Sequence, residues 1–237
     1  MYSRSSILKR FLPARGGNGK TQDKENEKET ESDLVVFIHG LFLSGHVFYP
    51  MARHLAAQGW EGIVYDYPTR LKNVCGHGED LARFLDELCE KENGRKRKIV
   101  LVTHSLGGIV VRAASGLWNS RTENAIRKIL MIVPPNRGSD MARLACALFP
   151  PVGKLSRVLP DLSSSPDAAV HRLPLLHPGK QELAIFGARY DLEVREKSYH
   201  LPGECLYRRF PCGHTDILFR KEIFSQVESF LQTPFPH

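Results

Sequence analysis

The chain has 237 residues, 42% hydrophobic and 25% charged, which suits one domain or one domain with a tail. No stretch approaches the ~20 consecutive apolar residues of a membrane-spanning helix, so a chain built on such helices is excluded. The net charge of +7 raises nucleic acid or anionic membrane as partners, and only its distribution can decide between these and neither.

Residues 1–20 carry Arg4, Lys9, Arg10, Arg15 and Lys20 without an acid, and residues 21–33 carry six acids against Lys24 and Lys28. With Gly16-Gly17-Asn18-Gly19 and a polar run after it, residues 1–33 read as a disordered tail that buries nothing. Order is expected from residue 34 to residue 237. Leu34 to Ile38 is a continuous apolar run of strand length, as in a parallel sheet covered on both faces. Tyr49 to Gly59 has helical spacing, Gly62 to Tyr67 is a strand ended by Pro68, and Glu79 to Glu90 sets Leu81, Phe84, Leu85 and Leu88 on one helical face. Lys98 to Thr103 is a strand and Leu106 to Leu117 a helix. Ile129 to Val133, Glu182 to Phe186 and Leu206 to Phe210 are further strands, and Ile223 to Leu231 is a closing amphipathic helix. The cluster Arg95 to Lys98 reads as a solvated loop, so nucleic acid is not an expected partner.

Strands alternating with helices predict an α/β fold with a mostly parallel sheet and helices on both faces. Residues 135–180 hold seven prolines and no clear strand. A structureless loop of that length is improbable, so they read as a cap-like insertion, partly helical around Asp140 to Leu148. Its Ala145, Ala147, Leu148, Val152, Leu155, Val158, Leu159 and Leu162 either line a pocket or pack the cap onto the core. The five cysteines are scattered and odd in number, with no C-x-x-C pair. That excludes a disulfide framework and a structural zinc site, and suits a reducing compartment. A cytoplasmic location is expected, with organelle import through the Arg/Ser-rich N-terminus as the alternative.

The chemistry is concentrated at Val102-Thr103-His104-Ser105-Leu106-Gly107-Gly108. An apolar strand runs into a serine flanked by small residues, and a helix follows at once. Such a turn lifts the hydroxyl above the sheet edge and sets the next backbone N–H at a helix N-terminus, where an anion is favoured. The pattern is G-x-S-x-G with Thr103 in place of the first glycine. His39-Gly40 closes the first strand, where a loop can offer a second N–H to an oxyanion. Cys212-Gly213-His214 lies between the last strand and the closing helix, so His214 can lean toward Ser105. His200 is also late enough; His104 is a neighbour in sequence, but the sharp turn sends adjacent side chains apart.

These segments, with Val36 to Leu41, Asp66-Tyr67-Pro68 and Pro134-Pro135-Asn136-Arg137-Gly138-Ser139, resemble serine lipases and esterases of the α/β-hydrolase superfamily over residues 34–237. The resemblance implies the chain order nucleophile, acid, histidine. Ser105 is then the nucleophile, Asp191 the orienting acid and His214 the base, with Glu193 or Asp216 as substitutes for the acid. Asp140, Asp161 and Asp167 are poorer placed. The N–H groups of Leu41 and Leu106 form the oxyanion hole. The implied function is hydrolysis of carboxylic esters of acyl or lipid-like type through an acyl-enzyme, with no metal or cofactor and no obligate protein partner. An acyltransferase or thioesterase with the same triad, or a non-catalytic binding module of this fold, is the alternative. Arg137 is expected to anchor the loop after its strand. The tail offers a possible membrane contact through Leu8, Phe11 and Leu12.

Overall fold

The apolar runs become the middle of a seven-stranded sheet. The computed structural model describes residues 7–13, 33–92, 97–149, 151, 156–176, 180–203 and 205–233. Its strands are β1 (Ile7–Phe11), β2 (Leu34–Ile38), β3 (Glu61–Tyr65), β4 (Ile99–His104), β5 (Ile126–Ile132), β6 (Glu182–Ala188) and β7 (Leu206–Phe210), ordered β1-β3-β2-β4-β5-β6-β7. Every neighbouring pair is parallel except β1 and β3. All residues of β2, β3 and β4 are buried, although successive side chains point to opposite faces, so both faces are covered. The covering helices are α1 (Tyr49–Ala57), α2 (Val74–Lys91), α3 (Leu106–Ser115), α4 (Ser120–Ala125), α5 (Asp140–Leu148) and α6 (Lys221–Gln232). Among the described residues no helix is long and apolar enough to cross a membrane.

Three differences from the sequence reading have physical causes. The segment expected to be disordered contains β1, which extends the sheet along the free edge of β3. Phe11 is buried with its ring edge-on to Tyr49, 5.1 Å between centroids. It is therefore not available to enter a membrane; Leu8 has no described side chain and Leu12 is exposed. Arg97, assigned to a solvated loop, is buried: its guanidinium lies 2.6 Å from Glu61 and 3.4 Å from Glu92, and Arg10 of β1 binds the same two carboxylates. Burial works against the charged Glu61, yet the two arginines outweigh it and hold its carboxyl below the usual range. The cluster of two arginines and two glutamates fastens the edge strand.

Helix α2 begins at Val74 instead of Glu79, capped by the Asn73 side chain, which accepts from Gly76 N–H at 2.9 Å. Gly76 and Gly78 interrupt the apolar spacing there. A Cβ on Gly78 would stand 2.5 Å from Ala113 Cβ, so this glycine is what lets α2 cross α3 closely.

In the 135–180 interval α5 occupies the expected place. Val158, Leu159 and Leu162 are buried in the core, whereas Leu148 is exposed, and Val152 and Leu155 lie outside the described residues. This interval is held from below by Arg112 of α3. Its buried guanidinium donates to the carbonyls of Asn136, Val170, Leu173 and Pro174 at 2.9–3.2 Å. Burial without a carboxylate lowers its pKa to about 10. Four acceptors compensate the cost of burying the cation, and the charge closes the loop onto the sheet.

Candidate active site

Backbone strain marks one edge of the sheet. Among the described residues, the non-glycine positions with positive φ are Phe42 (59°), Ser105 (50°) and Val133 (48°). They lie just past the carboxyl ends of β2, β4 and β5, three adjacent parallel strands. Each such conformation costs about 1–3 kcal/mol and persists only where the surroundings enforce it. The carboxyl edge of a parallel sheet is also where α/β proteins hold their ligands.

Ser105 occupies the turn between β4 and α3. Its N–H donates to the Ile132 carbonyl at 2.8 Å and its carbonyl accepts from Gly108 N–H at 3.0 Å, which fixes the turn from two sides. A Cβ on Gly107 would stand 2.3 Å from the Ile38 carbonyl oxygen, so only glycine lets α3 start against the end of β2. Thr103 is accommodated because its side chain is buried against β5, Oγ1 donating to the Leu130 carbonyl at 3.3 Å. The His39-Gly40 loop passes directly over the serine: a Cβ on Gly40 would meet His104 Nδ1 at 2.7 Å and Ser105 Cβ at 3.1 Å. Leu41 follows Gly40 on that loop and Leu106 opens α3 directly after Ser105, and neither N–H donates a hydrogen bond within the described residues.

His214 and Asp191 meet as a pair. His214 Nδ1 lies 2.6 Å from Asp191 Oδ2, and both side chains are almost wholly buried. Asp191 Oδ1 accepts the N–H groups of Glu193 and Val194, each at 2.8 Å, and Oδ2 also accepts the Tyr199 hydroxyl at 2.6 Å. Burial raises the Asp191 pKa, but the hydrogen bonds and charge of His214 with the Tyr199 and backbone donors outweigh it. The carboxyl stays below the usual range. Ser105 Oγ makes no hydrogen bond within the described residues, and His214 Nε2 has Glu193 Oε2 at 3.6 Å.

The other residues weighed from sequence are engaged elsewhere. His200 packs its ring on Tyr207, and Asp216 binds Gly213 N–H and Arg220. Arg137 anchors its loop, its N–H donating to the Ser198 carbonyl and its Nε–H to that of His200.

The sequence matches the α/β-hydrolase family over residues 35–219, most of the chain. The chain belongs to that family. Among solved structures of the α/β-hydrolase fold it is similar to the mature Bacillus licheniformis lipase BlEst2, with a TM-score of 0.63 at 18% identity, covering 86% of this chain and 94% of that one. In the propeptide form of the same lipase this chain spans only 51% of the length. It is also similar to the propionate-bound esterase Est2 of Thermogutta terrifontis, with a TM-score of 0.59 at 14% identity, covering 94% of this chain and 87% of that one.

Within this α/β-hydrolase site the sequence reading gives Tyr199 no role and sets His104 aside. The turn does send the His104 and Ser105 side chains apart, but it sends the imidazole inward, where it is buried with Nε2 2.9 Å from the His214 carbonyl. Burial, and then the nearby His214, lower the His104 pKa to about 3. The neutral ring donates its Nε2–H to that carbonyl and so carries the His214 loop. An unfolded chain takes up this proton near pH 6.5, whereas the folded one refuses it until about pH 3. Between those values the unfolded state binds more protons, so stability is lost as the pH is lowered, by up to about 1.4 kcal/mol per unit. Urea titrations from pH 7 to 5 are expected to show a shallower decline in His104→Gln, which keeps a donor but cannot titrate. Equal slopes in the two proteins would remove His104 as the source.

Proposed function

We propose that the protein is a serine hydrolase of carboxylic esters that works through Ser105, His214 and Asp191. The observation that carries the reading is a strained serine between β4 and α3 on the same sheet edge as a buried His–Asp pair. His214 Nε2 takes the Ser105 proton as Oγ attacks the ester carbonyl carbon, and Asp191 holds the proton on Nδ1 and stabilises the imidazolium. The N–H groups of Leu41 and Leu106 receive the developing oxyanion, and loss of one such donor costs about 10²–10³ in rate. Collapse of the tetrahedral adduct breaks the C–O bond to the alcohol, which leaves with the proton from Nε2. Water then attacks the acyl-enzyme with His214 as base, releasing the acid and restoring Ser105. An acyl ester substrate is supported by the lipase and esterase among the similar structures.

The test is labelling with a fluorophosphonate probe, with turnover of p-nitrophenyl esters of graded chain length. One adduct on the peptide carrying Ser105 is expected, with a chain-length optimum that sizes the acyl site. A folded protein that neither labels nor turns over any ester of the series refutes the reading.

A further inference from the structure

Helix α5 carries an apolar stripe that faces outward. In Asp-Met-Ala-Arg-Leu-Ala-Cys-Ala-Leu, positions 141, 144 and 148 fall on one side of a helix, the pattern that ordinarily faces a core. Here only Ala142 is buried. Met141, Leu144, Leu148 and the following Phe149 are 53%, 51%, 75% and 58% exposed. The helix is nevertheless firmly seated at its N-terminus. Ser139 Oγ accepts from Ala142 N–H and donates to the Glu193 carbonyl, and Asp140 accepts from Ser164 Oγ at 2.6 Å and binds Arg195 at 3.0 Å.

Beside that seat lies a cavity of about 340 Å³ lined by Arg137, Asp140, Arg143, Ser164, Lys197 and Ser198. Its one carboxylate is already bonded to Arg195, while Arg137, Arg143 and Lys197 have no carboxylate within ion-pair distance among the described residues. Three cations around a cavity, on the flank of an outward apolar helix, are complementary to a layer that is anionic at its surface and apolar beneath.

We propose that α5 and this cavity form a docking surface for an anionic lipid layer. Met141, Leu144, Leu148 and Phe149 enter the acyl boundary, and Arg137, Arg143 and Lys197 take headgroup phosphates. A short amphipathic helix holds such an interface through apolar burial and basic flanks together, and each basic residue near the surface multiplies binding about fivefold. The surface adjoins the site, since Ser139 holds the carbonyl of Glu193, the residue whose carboxylate faces His214 Nε2. The inference deepens the ester-hydrolase reading by naming where the ester is drawn from, and rests on that reading for its catalytic consequence alone.

The experiment is co-sedimentation of the full chain carrying Ser105→Ala with vesicles of phosphatidylcholine, and with vesicles of phosphatidylcholine and phosphatidylglycerol in equal parts. Preferential binding to the mixed vesicles is expected. Leu144→Gln with Leu148→Gln, and separately Arg143→Gln with Lys197→Gln, should each weaken it by about tenfold or more. All four positions are exposed, so the folded state is retained, and unchanged fluorophosphonate labelling of the same variants with Ser105 intact checks this. No binding to mixed vesicles overturns the proposal. So does binding that both double variants retain, which would move the contact to another basic segment such as residues 1–20. A concentration-dependent dimer abolished by the leucine changes, without vesicle binding, would assign the face to self-association and overturn it as well. Vesicle binding by a protein that hydrolyses no ester leaves the docking surface standing and removes the catalytic reading.

Discussion

Ser105→Ala is expected to lower kcat on p-nitrophenyl esters by about 10⁴–10⁶ while the melting temperature stays nearly unchanged. The two halves of that expectation come from different parts of the residue. The Ser105 side chain makes no hydrogen bond within the described residues, whereas its N–H and carbonyl are fixed by Ile132 and Gly108. Removing Oγ deletes the nucleophile and leaves the turn as it was. Alanine inherits the same positive φ of 50°, so the strain persists. Ser105→Gly separates strain from chemistry: it is equally inactive, yet glycine adopts this conformation without the steric cost. It should be more stable than Ser105→Ala by about 1–3 kcal/mol in urea titrations, less what glycine loses through the entropy of its unfolded chain. Residual activity within tenfold of wild type in Ser105→Ala would place the nucleophile elsewhere. An alanine variant as stable as the glycine one would show that the turn at Ser105 stores no strain.

The parts of this fold that were readable in the sequence are those specified locally. β2 and the first four residues of β4 are unbroken apolar runs because both their faces are covered, and the strand–serine–helix turn is written in consecutive residues from Thr103 to Gly108. What escaped is what depends on distant partners. β1 is five residues in a charged stretch, and its reasons to be a strand are the free edge of β3, the Tyr49 ring and the glutamates at 61 and 92. The first turns of α2 carry Gly78, and what requires that glycine is Ala113 of a later helix. The six-residue α4 lacked a long enough period to be seen, and with it went the true start of β5 at Ile126.

The site divides in the same way. Ser105 is announced by its neighbours and His214 is suggested by its loop after the last strand, whereas Asp191 was reached only through the chain order of the resembling family. Nothing local distinguishes Tyr199 from any buried tyrosine; its role comes from Asp191 Oδ2 lying 2.6 Å from its hydroxyl. His104 looked idle because its position beside the serine was judged by direction alone. The same direction that takes it away from Ser105 takes it to the carbonyl of His214, 110 residues further along the chain.

Asp191→Asn is expected to cost about 10⁴ in kcat, and the hydrogen bonds around the carboxylate say why. Oδ1 accepts two backbone N–H groups, so an amide cannot turn its NH₂ to that side without setting donor against donor. The NH₂ must take the place of Oδ2, facing Tyr199 and His214 Nδ1. There it donates to Nδ1, which forces the imidazole proton onto Nε2, and an Nε2 that carries a proton cannot receive one from Ser105. Tyr199→Phe is the milder companion. It removes one donor to a charged acceptor, an interaction of about 1.5–3 kcal/mol, without changing the tautomer. Asp191 then titrates closer to an ordinary carboxylate. Because a depressed carboxylate contributes stability above its unfolded pKa and loses it as pH falls through its folded pKa, Tyr199→Phe should shorten the acid limb of stability. Activity at neutral pH should largely survive in Tyr199→Phe and fail in Asp191→Asn. If Asp191→Asn instead stays within tenfold of wild type, Asp191 is not the orienting acid. Glu193, 3.6 Å from His214 Nε2, would then be the carboxylate to replace next.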